Sequence, residues 1–244
     1  MKKILLAACI LATAAGFARE DGYELDDGYG WSPVGIGFFC PLQLPGYESD
    51  IYGLRLNLLY GDNQRVYGLD LGVYGHARGP VYGLEAQLFN WNEDLVEALQ
   101  IGAIANVTMY DVNAFQIAGF ANVGHGSMRG LAVAGGINWT DTMGGMQIAG
   151  LANRNNDNSA GFQIAGVVNT TRNTWTGASL GFLNYADNLV GLQLGVINFV
   201  QQFGTGVQIG LFNAAQQFTG LQIGFLNMIC TGYTPLLPIA NVNF

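Results

Sequence analysis

From residue 51 onward, hydrophobic and polar positions alternate in short bursts, and the bursts recur. In GLQIGFLN at 220–227, Leu221, Ile223 and Phe225 take one parity, while Gly220, Gln222 and Gly224 take the other. Alternation with period two over six to eight residues predicts a β-strand whose faces meet different surroundings. Branched and aromatic side chains suit a pleated surface and strengthen that reading. Six or seven small or polar residues follow each burst, as in NAAQQFT and NYADNLV. Their glycines and asparagines suit turns. No segment carries a 3.6-residue apolar stripe, so the pattern predicts an all-β chain.

The bursts are copies of one unit. Late copies read GLQLGVIN (191–198), GVQIGLFN (206–213) and GLQIGFLN (220–227). Middle copies carry one extra small residue, as in AFQIAGFAN (114–122), GMQIAGLAN (145–153) and GFQIAGVVN (161–169). Early copies are degenerate and begin YGLRL, YGLDL and YGLEA at 52, 67 and 82. Starts fall at 53, 68, 83, 98, 114, 130, 145, 161, 177, 191, 206 and 220, in steps of 14 to 16 residues. An internal period of this kind is the signature of a repeat architecture. It divides the chain into 1–18, 19–50 with an N-terminal cap strand, and a tandem repeat domain with a C-terminal cap over 51–244.

Two architectures stack such strands, and the repeat favours a parallel β-solenoid of about 12 short coils. The unit is a single strand plus turn, whereas an antiparallel meander duplicates by hairpins and leaves a period near thirty. An asparagine closes most units: Asn90, Asn106, Asn122, Asn138, Asn153, Asn169, Asn184, Asn198, Asn213 and Asn227. In parallel coils these stack at about 4.8 Å and bond along the axis, in a rod of roughly 58 Å. The alternative is a 12–14-stranded outer-membrane β-barrel, with lipid outside and a polar lumen. It is suggested by Phe244 with Val242 and Ala240 on its parity, and by Tyr52, Tyr67 and Tyr82 as part of an aromatic girdle. Against it, Leu183, Ile197, Phe212 and Leu226 would face the lumen, and Pro235 and Pro238 would interrupt the last strand. Arg55, Asp70 and Glu85 stand where Gln recurs later; on a solenoid they are expected as an exposed ladder.

The N-terminus changes the picture from fold to location. Lys2 and Lys3 precede an apolar run, Ile4 to Ala15, and Gly16-Phe17-Ala18 ends in small residues, which predicts a secretory signal peptide over 1–18. Cys9 follows Leu6-Ala7-Ala8, but too short an apolar run precedes it for a lipoprotein signal. The formal charge is −8, and loss of both lysines takes it to about −10. Such a chain repels nucleic acid and offers no basic patch to anionic lipid. Half its residues are apolar, yet after residue 20 no apolar stretch is long enough for a spanning helix. Asp21, Glu24, Asp26 and Asp27 lack the glycine-centred loop of a calcium site and read as a solvated leader. Cys40 and Cys230 are too few for a disulfide framework, and a bond between them would favour a closed barrel.

Tandem G-[LFVM]-Q-[IL]-[AG] units ending in Asn, followed by PLLPIANVNF, resemble uncharacterised bacterial surface-repeat proteins over residues 51–244. The resemblance implies an exported protein of the cell surface or outer membrane, or of the periplasm, and carries no catalytic residue over.

Chemistry-bearing residues are sparse. His76 and His125 lie in separate units, too far apart to share a metal. Ser127, Ser159 and Ser179 occupy ordinary repeat positions without an adjacent base. Glu93, Asp94 and Glu97 read as a solvated turn. Trp91, Trp139 and Trp175 recur near linkers, as turn aromatics or as a row for stacking sugars. No catalytic, cofactor-binding or metal residue is assigned. The expectation is a non-enzymatic envelope protein of structural or binding role, displaying polar ladders outward; the alternative is an integral outer-membrane barrel acting as pore or anchor. The expected partner is an unidentified surface ligand or envelope component and not nucleic acid, with association with the outer membrane left open.

Overall fold

A computed structural model describes residues 30–39, 42–232 and 234–243. The expected signal peptide, the acidic residues 21–27, Cys40 and Phe244 lie outside the described residues.

Each repeat is one coil, and successive coils pair in parallel. Asn184 pairs with Asn198 and Asn198 with Asn213; Gly191, Gly206 and Gly220 follow one another, as do Gln193, Gln208 and Gln222. The same register runs through the early copies, where Leu54, Leu69 and Leu84 stack. The result is a parallel β-solenoid of about 13 turns. Parallel neighbours rule out the antiparallel barrel as the fold of this chain.

Antiparallel pairing occurs at the two ends. Leu42–Leu44 lies on Trp31–Phe39. Leu236–Asn243 lies on the last coil, with Ile223 opposite Ala240 and Leu221 opposite Val242. Pro238 sits where that register shifts, and the adjoining Ile239 has φ 70°. A proline is tolerated at such a break in an edge strand.

Glycine explains how so small a coil closes. At one corner Gly53, Gly68, Gly83, Gly130, Gly145, Gly161, Gly177, Gly191, Gly206 and Gly220 have φ between 124° and 144°. A Cβ on Gly177 would lie 2.0 Å from the carbonyl oxygen of Gly161, so each corner glycine is required by the coil before it. At the next corner, a Cβ on Gly210 would lie 2.3 Å from the Gly195 oxygen. The extra residue of the middle copies is the buried alanine before this second glycine, as at Ala118, Ala149 and Ala165.

The interior reverses one expectation. Gln and Asn point into the coil, and the leucines and isoleucines of the repeat point out. Arg55, Asp70 and Glu85 are fully buried rather than an exposed ladder. Apolar core is confined to one inward row and its neighbours. One cluster spans Val66 to Met143 and another spans Trp175 to Ile229. Between them Ser159 takes the core position and the lining turns polar: Thr140 donates to Asn155 at 2.9 Å, and Gln163 to Ser179 at 2.7 Å. In the second cluster the ring of Phe218 fills the space left by Gly204.

Candidate binding surface

The outward face follows from how the inward amides are satisfied. A buried amide is costly unless its N–H and C=O groups are hydrogen-bonded. Asn153 meets that requirement through three neighbours. Its Nδ2 donates to Asn169 Oδ1 at 2.9 Å and to the Ile164 carbonyl at 2.8 Å, and its Oδ1 accepts from Asn138 at 2.9 Å. The same chain of bonds, 2.6–2.9 Å long, connects all ten asparagines from Asn90 to Asn227. Its donors point toward the C-terminal coils. The glutamines form shorter runs in the opposite sense: Gln222 to Gln208 at 2.7 Å, Gln208 to Gln193 at 2.8 Å, and Gln116 to Gln100 at 2.6 Å. Ala132 interrupts that row.

With each Gln held inside, the residues on both sides of it must point out. One outward row runs from Leu54 to Leu221 and the other from Leu56 to Ile223. Both are apolar in every one of the twelve coils. Val34 and Ile36 extend them at one end, Val242 and Ala240 at the other. The parity of Val242 and Ala240, which suggested a membrane strand, instead continues these rows. Several side chains are largely free: Phe115 is 58% exposed, Phe162 57% and Ile117 44%. Past the second glycine corner lies another outward apolar line, with Phe120, Leu151, Phe182 and Phe225 each at least half exposed. Soluble monomers seldom expose a continuous apolar patch beyond a few hundred Å².

The remaining outward faces are mixed, with Tyr110, Val190 and Phe203 exposed among polar residues. Tyr52, Tyr67 and Tyr82 stack there with ring centroids 4.6 and 5.0 Å apart. They form an aromatic stack on a solenoid rather than a girdle around a barrel. Glu97 follows Tyr82 in register. Charge is also graded along the axis, since no Asp, Glu, Lys, Arg or His occurs after Asp187.

Ionisable chemistry collects in the early coils. Inside, Arg55 Nε donates to Asp70 Oδ1 at 2.8 Å, a second guanidinium nitrogen pairs with Oδ2, and Nη1 donates to the His76 carbonyl at 2.8 Å. Glu85 Oε2 accepts from Asn92 at 2.9 Å and from Gln100 at 2.6 Å. Burial and then the charge of Asp70 push the Glu85 carboxyl up to about 7, with the bonds from Gln100 and Asn92 opposing. Outside, His76 lies 3.2 Å from Asp62 and 3.0 Å from Glu93, and Arg78 holds Asp62 at 2.7 and 3.1 Å. Burial depresses the His76 pKa, but Asp62 and then Glu93 outweigh it and the net direction is upward. Burial opposes ionisation of Asp62, yet His76 and Arg78 lower its pKa overall. Among the described residues no three His, Cys, Asp or Glu side chains converge on a metal site.

The other sequence candidates are dispersed. His125 is exposed, three rungs from the His76 coil. Ser159 Oγ donates to the Asp157 carbonyl and accepts from Met143 N–H, and Ser179 accepts from Gln163. The backbone N–H of Ser127 donates to Asp111 Oδ1. Asp94 accepts from the Leu95 N–H, and Glu97 from Asn113. Trp91 and Trp139 share one outward row, three rungs apart, whereas Trp175 is fully buried in the core. The tryptophans therefore form no continuous row for sugars. Cys230 is exposed and free.

Sequence reasoning missed the apolar wall, although its signal was present in the uniformly apolar residues flanking each Gln. Comparison of the chain with protein-family profiles, with curated proteins and with solved structures returns no match.

Proposed function

We propose that this chain is an exported, non-enzymatic protein of the bacterial envelope, a rigid solenoid of structural or binding role whose apolar wall is its docking surface. The observation that carries the reading is the pair of outward rows from Leu54 to Leu221 and from Leu56 to Ile223, apolar at every coil. A surface repeated without interruption suits docking over an extended partner. In the early coils both Arg55 and Arg78 are tied up in ion pairs, with Asp70 and Asp62, which supports the same reading. Export rests on the sequence over residues 1–18 and surface location on the resemblance of the repeats.

Fractionation of cells producing the full chain tests this reading. The expected result is mature protein, shortened at its N-terminus, in the envelope fraction. Full-length protein in the cytosol would refute it.

A further inference from the structure

We infer that the apolar wall is covered by the same wall of a second copy of this chain. The inference deepens the docking role proposed above and rests on it. Area, geometry and charge support this choice of partner.

The wall between the two glycine corners, such as Gly206 and Gly210, spans four residue steps, or about 13 Å at 3.3 Å per residue. Twelve coils, separated by eleven steps of about 4.8 Å, put its end rows roughly 53 Å apart, hence about 700 Å² per copy. A standard specific interface buries about 800 Å² on each side, and the corner line from Phe120 to Phe225 supplies the difference.

Two such walls also match in shape. Each presents rows with one side chain per rung, so both copies have the same axial repeat. Side chains of one sheet can therefore seat between those of the other at the usual sheet separation of about 10 Å. A two-fold axis through the wall makes the contact isologous and closes it at two copies.

Charge argues against a lipid surface as the occupant. Helices that lie on membranes carry Lys or Arg around their apolar face. The two rows here contain no cation, and the chain has a net charge of −8. In a pair, the charged early coils lie mostly on faces turned away from the contact or inside the coil.

Sedimentation equilibrium of the mature chain without detergent, from about 1 to 50 μM, tests the inference. The expected mass is twice that of the chain. Ile164→Lys, in the middle of the wall at a side chain 37% exposed, should weaken association at least tenfold while leaving the far-UV spectrum unchanged. Should that variant fail to fold, Ile101→Lys, at a side chain 38% exposed, serves in its place. A wild-type monomer throughout the range would overturn the inference. So would a dimer indifferent to the lysine, or a monomer that floats with phosphatidylcholine vesicles. Envelope fractionation is unaffected by these outcomes, so failure of the dimer and failure of the envelope role are separable.

Discussion

Replacing Asn153 with alanine tests whether the asparagine ladder holds the coils together. Three bonds are lost at once: from Asn138, to Asn169 and to the Ile164 carbonyl. Asn138 Nδ2 keeps its bonds to the Ile148 carbonyl at 2.9 Å and to the Ala132 carbonyl at 3.3 Å, so one of its N–H groups is left with only that long bond, while Asn169 Oδ1 is stranded. A buried polar group left unpaired costs about 1–3 kcal/mol. The stranded acceptor, the weakened bond of Asn138 and a small void together give a loss of roughly 4 kcal/mol. Asn90→Ala provides the internal comparison. Asn90 begins the ladder, where Gly75 precedes it in register, and its own Oδ1 accepts no bond. The substitution strands Asn106 Oδ1 and removes a donor from the Ile101 carbonyl, for a loss of about 2 kcal/mol. Urea unfolding followed by far-UV circular dichroism reads both. With a slope near 2 kcal/mol/M, Asn153→Ala should lower the midpoint by about 2 M and Asn90→Ala by about 1 M. Because each coil contacts only its neighbours, the central break should also split the transition in two. Equal losses at the two sites, or losses below about 1 kcal/mol, would refute the reasoning.

The buried Glu85 predicts a pH dependence of stability. The folded chain keeps its proton up to about 7, whereas the unfolded chain releases it near 4.5. Stability from this group is therefore full below about pH 4.5, declines between 4.5 and 7, and is lost above, by roughly 3 kcal/mol. His76, with a raised pKa, also loses its contribution as pH rises, so the difference between wild type and Glu85→Gln isolates the carboxyl. Urea midpoints at pH 5 and 8 should separate by less in Glu85→Gln than in wild type, and equal separations would count against the buried charge. Gly177→Ala places a Cβ 2.0 Å from the Gly161 oxygen at a φ of 134°. Strain of that kind costs at least about 2 kcal/mol, measurable as a fall in melting temperature. A variant as stable as wild type would mean that the corner can adopt another backbone.

The period, the strand and the stacking of asparagines were all legible in the sequence, because a ladder requires the same residue at the same place in every coil. The side facing water was not. Alternation states that two faces differ, and a one-residue shift exchanges them. The ordinary rule places leucine inside. It fails here because amides such as Gln208 and Asn198 satisfy polar groups on copies of themselves in adjacent coils, with Asn198 also donating to the Ile209 carbonyl, which is possible within the lumen. Arg55, Asp70 and Glu85 illustrate the same limit. Their shared parity was visible, but the partners that allow their burial come from Asn92 across the same coil as Glu85 and from Gln100 and the His76 carbonyl on other coils. Trp175 looked like one more linker aromatic until register placed it on the inward row with Leu189. Ala98 and Ala114 occupy the position of the corner glycine without its positive φ, a local departure that composition alone does not reveal.

The strand Leu236–Asn243 has a wider consequence. Identical rungs contain no information about how many of them there should be, since every coil offers the next the same open edge. Number must be imposed by something that is not a rung. The reversed direction of this strand, with Pro238 lacking an N–H and Ile239 turned to positive φ, supplies that difference. It separates a molecule of defined size from a filament, and places the control of size in a handful of residues rather than in the repeats.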